Sequence, residues 1–90
     1  MSEPITVRRK RLIYRSRYRG VLESDLLLGQ FADRYVATMD DVQLDRYEAL
    51  LEESDTDLIA WIAGRAPAPA RHDHVLLRRI RSFEPAAGRA

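Results

Sequence analysis

Leu27, Phe31 and Tyr35 recur at four-residue intervals, and Leu28, Ala32 and Val36 run one position after them. Side chains spaced this way share one face of a 3.6-residue helix, so the segment from about Val21 to Ala37 reads as an amphipathic helix. No stretch sustains the period-two alternation of a half-buried strand. An earlier helix spans Val7 to Tyr18, with Leu12, Ile13, Tyr14 and Tyr18 on its apolar side. A third opens at Asp40, which has capping-box spacing to Gln43, and turns Leu44, Tyr47, Leu50 and Leu51 inward. A short fourth takes Asp55 as its N-cap, buries Leu58, Ile59 and Ile62, and stops at Gly64, the residue just past its end. Trp61 on that helix reads as core. The connector RAPAPA carries too many prolines to be helical and leads to a fifth helix over Arg71 to Phe83, with Val75, Leu76, Ile80 and Phe83 inside. The expected fold class is all-α: a small five-helix bundle in a single domain. Residues 1–7 are expected to form a flexible N-terminus, 8–83 the helical domain and 84–90 a loose tail.

Ninety residues suffice for one modest core. The chain has no cysteine, which excludes disulfide scaffolds, thiolate metal sites and cysteine nucleophiles, and suits a reducing compartment. No apolar run approaches the ~20 residues of a membrane span. The basic start MSEPITVRRKRLIYRS lacks the apolar stretch of a secretory signal. As a mitochondrial presequence it would run straight into the folded pattern, with nothing to spare for removal. The expected location is therefore cytoplasmic, without membrane insertion.

The net charge of +1 conceals segregation. Residues 1–20 carry a net +6, residues 21–62 a net −9 and residues 63–90 a net +4. Either the segments fold against one another and neutralise, or a basic face meets an acidic partner. Tyrosines interleave with the arginines of the first helix, so a basic-faced nucleic-acid-binding or regulatory protein is the alternative function. Against it stand the acidic middle and the lack of helix-turn-helix spacing.

Little here can carry catalysis. No serine lies in a G-x-S-x-G setting, and no glycine-rich loop could cradle phosphate. His72 and His74 point to different helix faces at two-residue spacing and read as an exposed helix start rather than metal ligands. The expectation is no enzyme, no catalytic residues and no metal.

One stretch resists a purely structural account. In RYRGVLESD, Gly20 interrupts a helical chain where glycine costs roughly 1 kcal/mol against alanine. It could be the junction between the first two helices, acting as an N-cap, with Glu23 in the first turn where a carboxylate favours the dipole. It could equally open a gap for a partner's backbone, flanked by the opposite charges of Arg19 and Glu23. The residues alone leave both open.

RSRYRGVLESDLLLGQFAD resembles the signature of the succinate dehydrogenase FAD assembly factor family, the small SdhE-type proteins of bacteria and their mitochondrial relatives. That signature is R-G-x-x-E, an Asp and a run of leucines: here Arg19, Gly20, Glu23, Asp25 and Leu26 to Leu28. LLEESDTDLIAWIAGRAPAP resembles the second marker through Leu50, Leu51, Glu52, Asp57, Leu58 and Trp61. Leu22 departs from the pattern, in which many members carry a basic residue there. The resemblance covers about residues 8–83 and implies a five-helix bundle. It implies a monomeric assembly factor, chaperone-like, that binds the flavoprotein subunit of succinate dehydrogenase, and in bacteria also fumarate reductase. It implies promotion of covalent FAD attachment to a histidine of that subunit, with no cofactor stably bound by the helper and no nucleic-acid partner. The partner-binding residues it implies are Arg15, Arg19, Gly20, Glu23 and Asp25. Such a helper needs no active site, because holding the client where flavin and histidine meet is enough.

Overall fold

The computed structural model describes residues 3–86, and among them five α-helices form: α1 Ile5–Arg17, α2 Leu22–Tyr35, α3 Asp41–Leu51, α4 Asp55–Ile62 and α5 Val75–Ser82. Single 3₁₀ turns lie at Val36–Thr38 and Ala70–His72. Residues 1–2 of the expected N-terminus and 87–90 of the expected tail lie outside the described residues. No helix among the described residues is long and apolar enough to cross a membrane.

Local chemistry sets the boundaries. α1 opens at Ile5, two residues before the expected Val7, and Glu3 ahead of it pairs with Arg11 at 2.9 Å. Asp40 and Gln43 complete the anticipated capping box of α3. α4 is capped by Ser54 rather than Asp55: the Ser54 hydroxyl accepts the Asp57 N–H at 3.2 Å. Either residue can cap, but this choice leaves the Asp55 carboxylate free for another partner. Gly64 ends α4 at φ +75°, as its spacing implied.

α5 starts at Val75, four residues later than the Arg71 expected from the pattern. His74 adopts an extended backbone and its Nδ1 accepts the Leu77 N–H at 3.3 Å, so the helix is capped by a histidine. From this start Leu76, Leu77 and Ile80 face inward, and Val75, expected inside, is exposed.

The core centres on Phe31, Leu12, Leu28, Leu44, Tyr47, Leu50, Leu58 and Ile80, each essentially sealed from solvent. Phe83 meets Phe31 edge-on at 5.6 Å. Trp61 belongs to this core at 8% exposure. On α1 the inward residues are Leu12 and Ser16, four apart, while Tyr14 and Tyr18 stack at 4.6 Å on the outside rather than completing the apolar face. Ser16 can sit there because its hydroxyl donates to the Leu12 carbonyl and meets the Tyr47 hydroxyl.

The charge segregation resolves inside the fold. Arg8 pairs with Asp45 and Glu48, Arg11 with Glu48, and Arg15 with Glu52 at 2.9 Å. The Arg11 and Arg8 hydrogen bonds hold the Glu48 carboxyl below its ordinary range against the opposing effect of burial. Arg8, Arg11 and Arg15 are thus engaged by acids on α3 and at its C-terminal end, and Arg17 by Asp33 on α2, so the nucleic-acid alternative loses its main support.

Candidate functional site

The site is the turn Tyr18–Val21 between α1 and α2, with the first turn of α2 behind it. Arg19 does not point to solvent, as an outward charge beside Gly20 would require. Its side chain is 9% exposed and lies under the turn. Nε donates to Asp55 Oδ1 at 2.6 Å, Nη1 to the Leu51 carbonyl at 2.9 Å and Nη2 to the Glu53 carbonyl at 2.8 Å. These carbonyls end α3 and begin the α3–α4 turn, so one guanidinium satisfies backbone acceptors that the helix terminus leaves open.

Asp55 receives more than Arg19. The Ser24 hydroxyl also donates to Asp55 Oδ1, at 2.9 Å. Burial alone would raise the Asp55 pKa, but the Arg19 and Ser24 hydrogen bonds outweigh it and hold the carboxyl below its ordinary value. Asp25 also faces the turn: its Oδ1 accepts the Arg19 backbone N–H at 2.7 Å. Arg19 is therefore fixed by its main chain to α2 and by its side chain to α3 and α4.

Between these anchors, Gly20 sits exposed at φ +96°. A side chain at this dihedral is strained, yet a Cβ would meet no atom within 4 Å. Glycine here thus serves the backbone's path rather than packing within the chain. It is not the N-cap of α2; Val21, in extended conformation, holds that place. Glu23 is exposed in the first turn of α2, where its charge suits the helix dipole. The atypical Leu22 stands out at 74% exposure. Of the five expected partner-binding residues, Gly20 and Glu23 reach the surface, Arg15 lies at its edge in a pair with Glu52, and Arg19 and Asp25 build the turn from within.

A further support of the turn escaped the sequence. His72, expected at an exposed helix start, is 2% exposed. Its Nε2 is 2.6 Å from Glu53 Oε2, and its ring lies 5.5 Å from that of Trp61. The His72 and Arg71 contacts hold the Glu53 carboxyl below its usual range. The residue whose carbonyl receives Arg19 is thereby clamped by the connector before α5. No spacing signals this, since Glu53 and His72 lie 19 residues apart. Among the described residues no group of three or more His, Asp or Glu could hold a metal ion.

A family model described as the flavinator of succinate dehydrogenase matches residues 10–84. The chain belongs to this family. Its curated relatives include proteins named succinate dehydrogenase assembly factor 2, mitochondrial. The Candida glabrata protein is 40% identical over 87 residues, covering 92% of this chain and 57% of the relative. The Debaryomyces hansenii protein is 52% identical over 59 residues, covering 66% and 42%. That of Saccharomyces cerevisiae is 40% identical over 86 residues, covering 91% and 53%. The chain thus spans about half the length of these flavinator relatives. Their names overturn the cytoplasmic expectation and point to the mitochondrion. That expectation leaned on where the chain begins, and the relatives are longer; a reducing interior and the lack of a spanning helix do not distinguish the compartments.

Proposed function

We propose that this flavinator-family chain is an assembly factor that binds the flavoprotein subunit of succinate dehydrogenase and promotes covalent attachment of FAD to it. The relatives' names, which carry the word mitochondrial, support a mitochondrial setting for that work. The observation that carries the docking part is the exposed Gly20 at φ +96°, with open space where a side chain would stand and buried anchors beneath. A turn held this firmly presents bare backbone to a partner in one fixed shape, with the Glu23 carboxylate three residues on. Arg19 and Asp25 act by holding that shape, and Arg15 borders it.

The role is non-catalytic. The chain acts as a monomer, and FAD and the histidine that receives it belong to the client. Binding energy at the turn favours the client conformation in which flavin and histidine approach reacting distance. Deleting the gene tests this directly. The client subunit should still be made but lose its fluorescent flavin band on a denaturing gel, and restoring the chain should return it. Normal flavin loading in the deletion strain would refute the proposal.

A further inference from the structure

Beside the turn, the surface between α2 and α4 opens into an apolar groove of about 330 Å³. Leu26 and Leu27 line it from α2, Ile59, Ile62 and Ala63 from α4, and Glu23 completes the lining. Pro85 and Ala86 also border it, with Ala86 fixed by two hydrogen bonds to the Gln30 side chain, at 2.8 and 3.3 Å.

Three consecutive leucines cannot all face one core, because neighbours on a helix diverge by about 100°. Leu28 takes the core position, while Leu26 and Leu27 remain partly uncovered in the groove. Glu23 makes no ion pair or side-chain hydrogen bond among the described residues, unlike Asp45, Glu48, Glu52, Glu53 and Asp55, each of which holds an arginine. The groove therefore joins uncovered apolar surface to an unused carboxylate, three residues from Gly20. A flavin dinucleotide fits this badly: Glu23 would repel its pyrophosphate, and no arginine or lysine among the described residues lines the groove.

We propose that the groove receives one apolar side chain of the flavoprotein subunit, flanked in that subunit by an arginine or lysine that pairs with Glu23. The inference rests on the docking function above and extends the contact from the turn into the α2–α4 cleft. An apolar anchor in a pocket beside a charged pair is the usual make-up of an interface hot spot.

The test uses the purified apo-flavoprotein subunit as probe. Ala63 is exposed and follows α4 with an ordinary helical backbone, so Ala63→Phe fills the groove without disturbing the core. Its affinity for the subunit should fall by about tenfold or more while circular dichroism stays unchanged. Glu23→Gln should bind more weakly and lose part of the salt dependence seen with wild type. A diazirine analogue of leucine at position 26, and separately at 27 in case one variant folds poorly, should mark an apolar client residue next to an arginine or lysine. Wild-type affinity in folded Ala63→Phe, or crosslinks only to a second copy of this chain or to its own residues 84–90, would overturn the proposal. If wild type itself fails to bind the subunit, the assembly-factor reading falls with it; if wild type binds and the groove variants bind equally, only the groove assignment falls.

Discussion

The Arg19 guanidinium and the Asp55 carboxylate meet at 2.6 Å across 36 residues of sequence, joining the α1–α2 turn to the start of α4. Because Arg19 also serves the Leu51 and Glu53 carbonyls, its loss leaves two carbonyls unpaired in a largely dry place and leaves Asp55 with only the Ser24 hydroxyl. Arg19→Ala should therefore destabilise the domain by about 3 kcal/mol, in the range for one partner removed from a buried pair. Asp55→Asn should cost less, since an amide oxygen still accepts from Arg19 and Ser24. Chemical denaturation of both single variants and the double variant checks this; their effects should fall well short of additive.

Gly20 separates folding from docking. At φ +96° any L-residue is strained, so Gly20→Leu should lose about 1–2 kcal/mol from the backbone alone. A D-alanine at position 20, introduced by chemical synthesis, accepts positive φ without that strain. It should match or exceed wild-type melting temperature, yet bind the flavoprotein subunit more weakly. Unchanged client affinity in the D-alanine protein would remove Gly20 from the interface.

His74 gives the fold a mild acid sensitivity. Burial, then the charge of Arg46, depresses its pKa below the ordinary 6.5. The folded state thus resists the proton that the unfolded chain takes up. The His74 contribution is fully present above about pH 6.5 and is lost as pH falls through the lower folded value. Protonation also removes the Nδ1 lone pair that caps α5. The melting temperature should therefore decline between pH 7 and pH 5, and His74→Ser, which caps without titrating, should flatten that decline. Near and below pH 4 a further loss follows in both proteins, as the depressed carboxyls of Glu48 and Asp55 take up protons.

Ser16 and Tyr47 should respond unequally. Ser16 donates to the Leu12 carbonyl, so the Tyr47 hydroxyl is the donor between the two. Tyr47→Phe removes that donor and leaves Ser16 bonded, at a cost of about 1 kcal/mol. Ser16→Ala strands the Tyr47 hydroxyl in a sealed core and should cost about 1–3 kcal/mol. Equal losses in urea denaturation would contradict this donor order.

What the sequence revealed follows interaction range. The stripe through Leu28, Phe31 and Ala32, the Asp40–Gln43 box and the stop at Gly64 are local, and periodicity or capping chemistry found them. Ser54 and Asp55 are equally able caps, so only the pull of Arg19 and Ser24 on Asp55 decides between them. The site was legible as a set of residues but not in its orientation. Charge suggests that Arg19 points outward, yet backbone carbonyls more than 30 residues away draw it in. His72 misled for the same reason, since its partner Glu53 belongs to a different turn.

The inward Arg19 also limits how far the signature can travel. A synthetic hairpin of residues 5–35 would contain Arg19, Gly20, Glu23 and Asp25 in order, but not the Leu51 and Glu53 carbonyls or Asp55, which hold the arginine down. Released, that side chain would swing into solvent beside the glycine, and the bare backbone would lose its fixed path. Peptide mimics or grafts meant to imitate or block this surface must carry the α3–α4 corner as well, because the smallest unit that preserves its shape is close to the entire bundle.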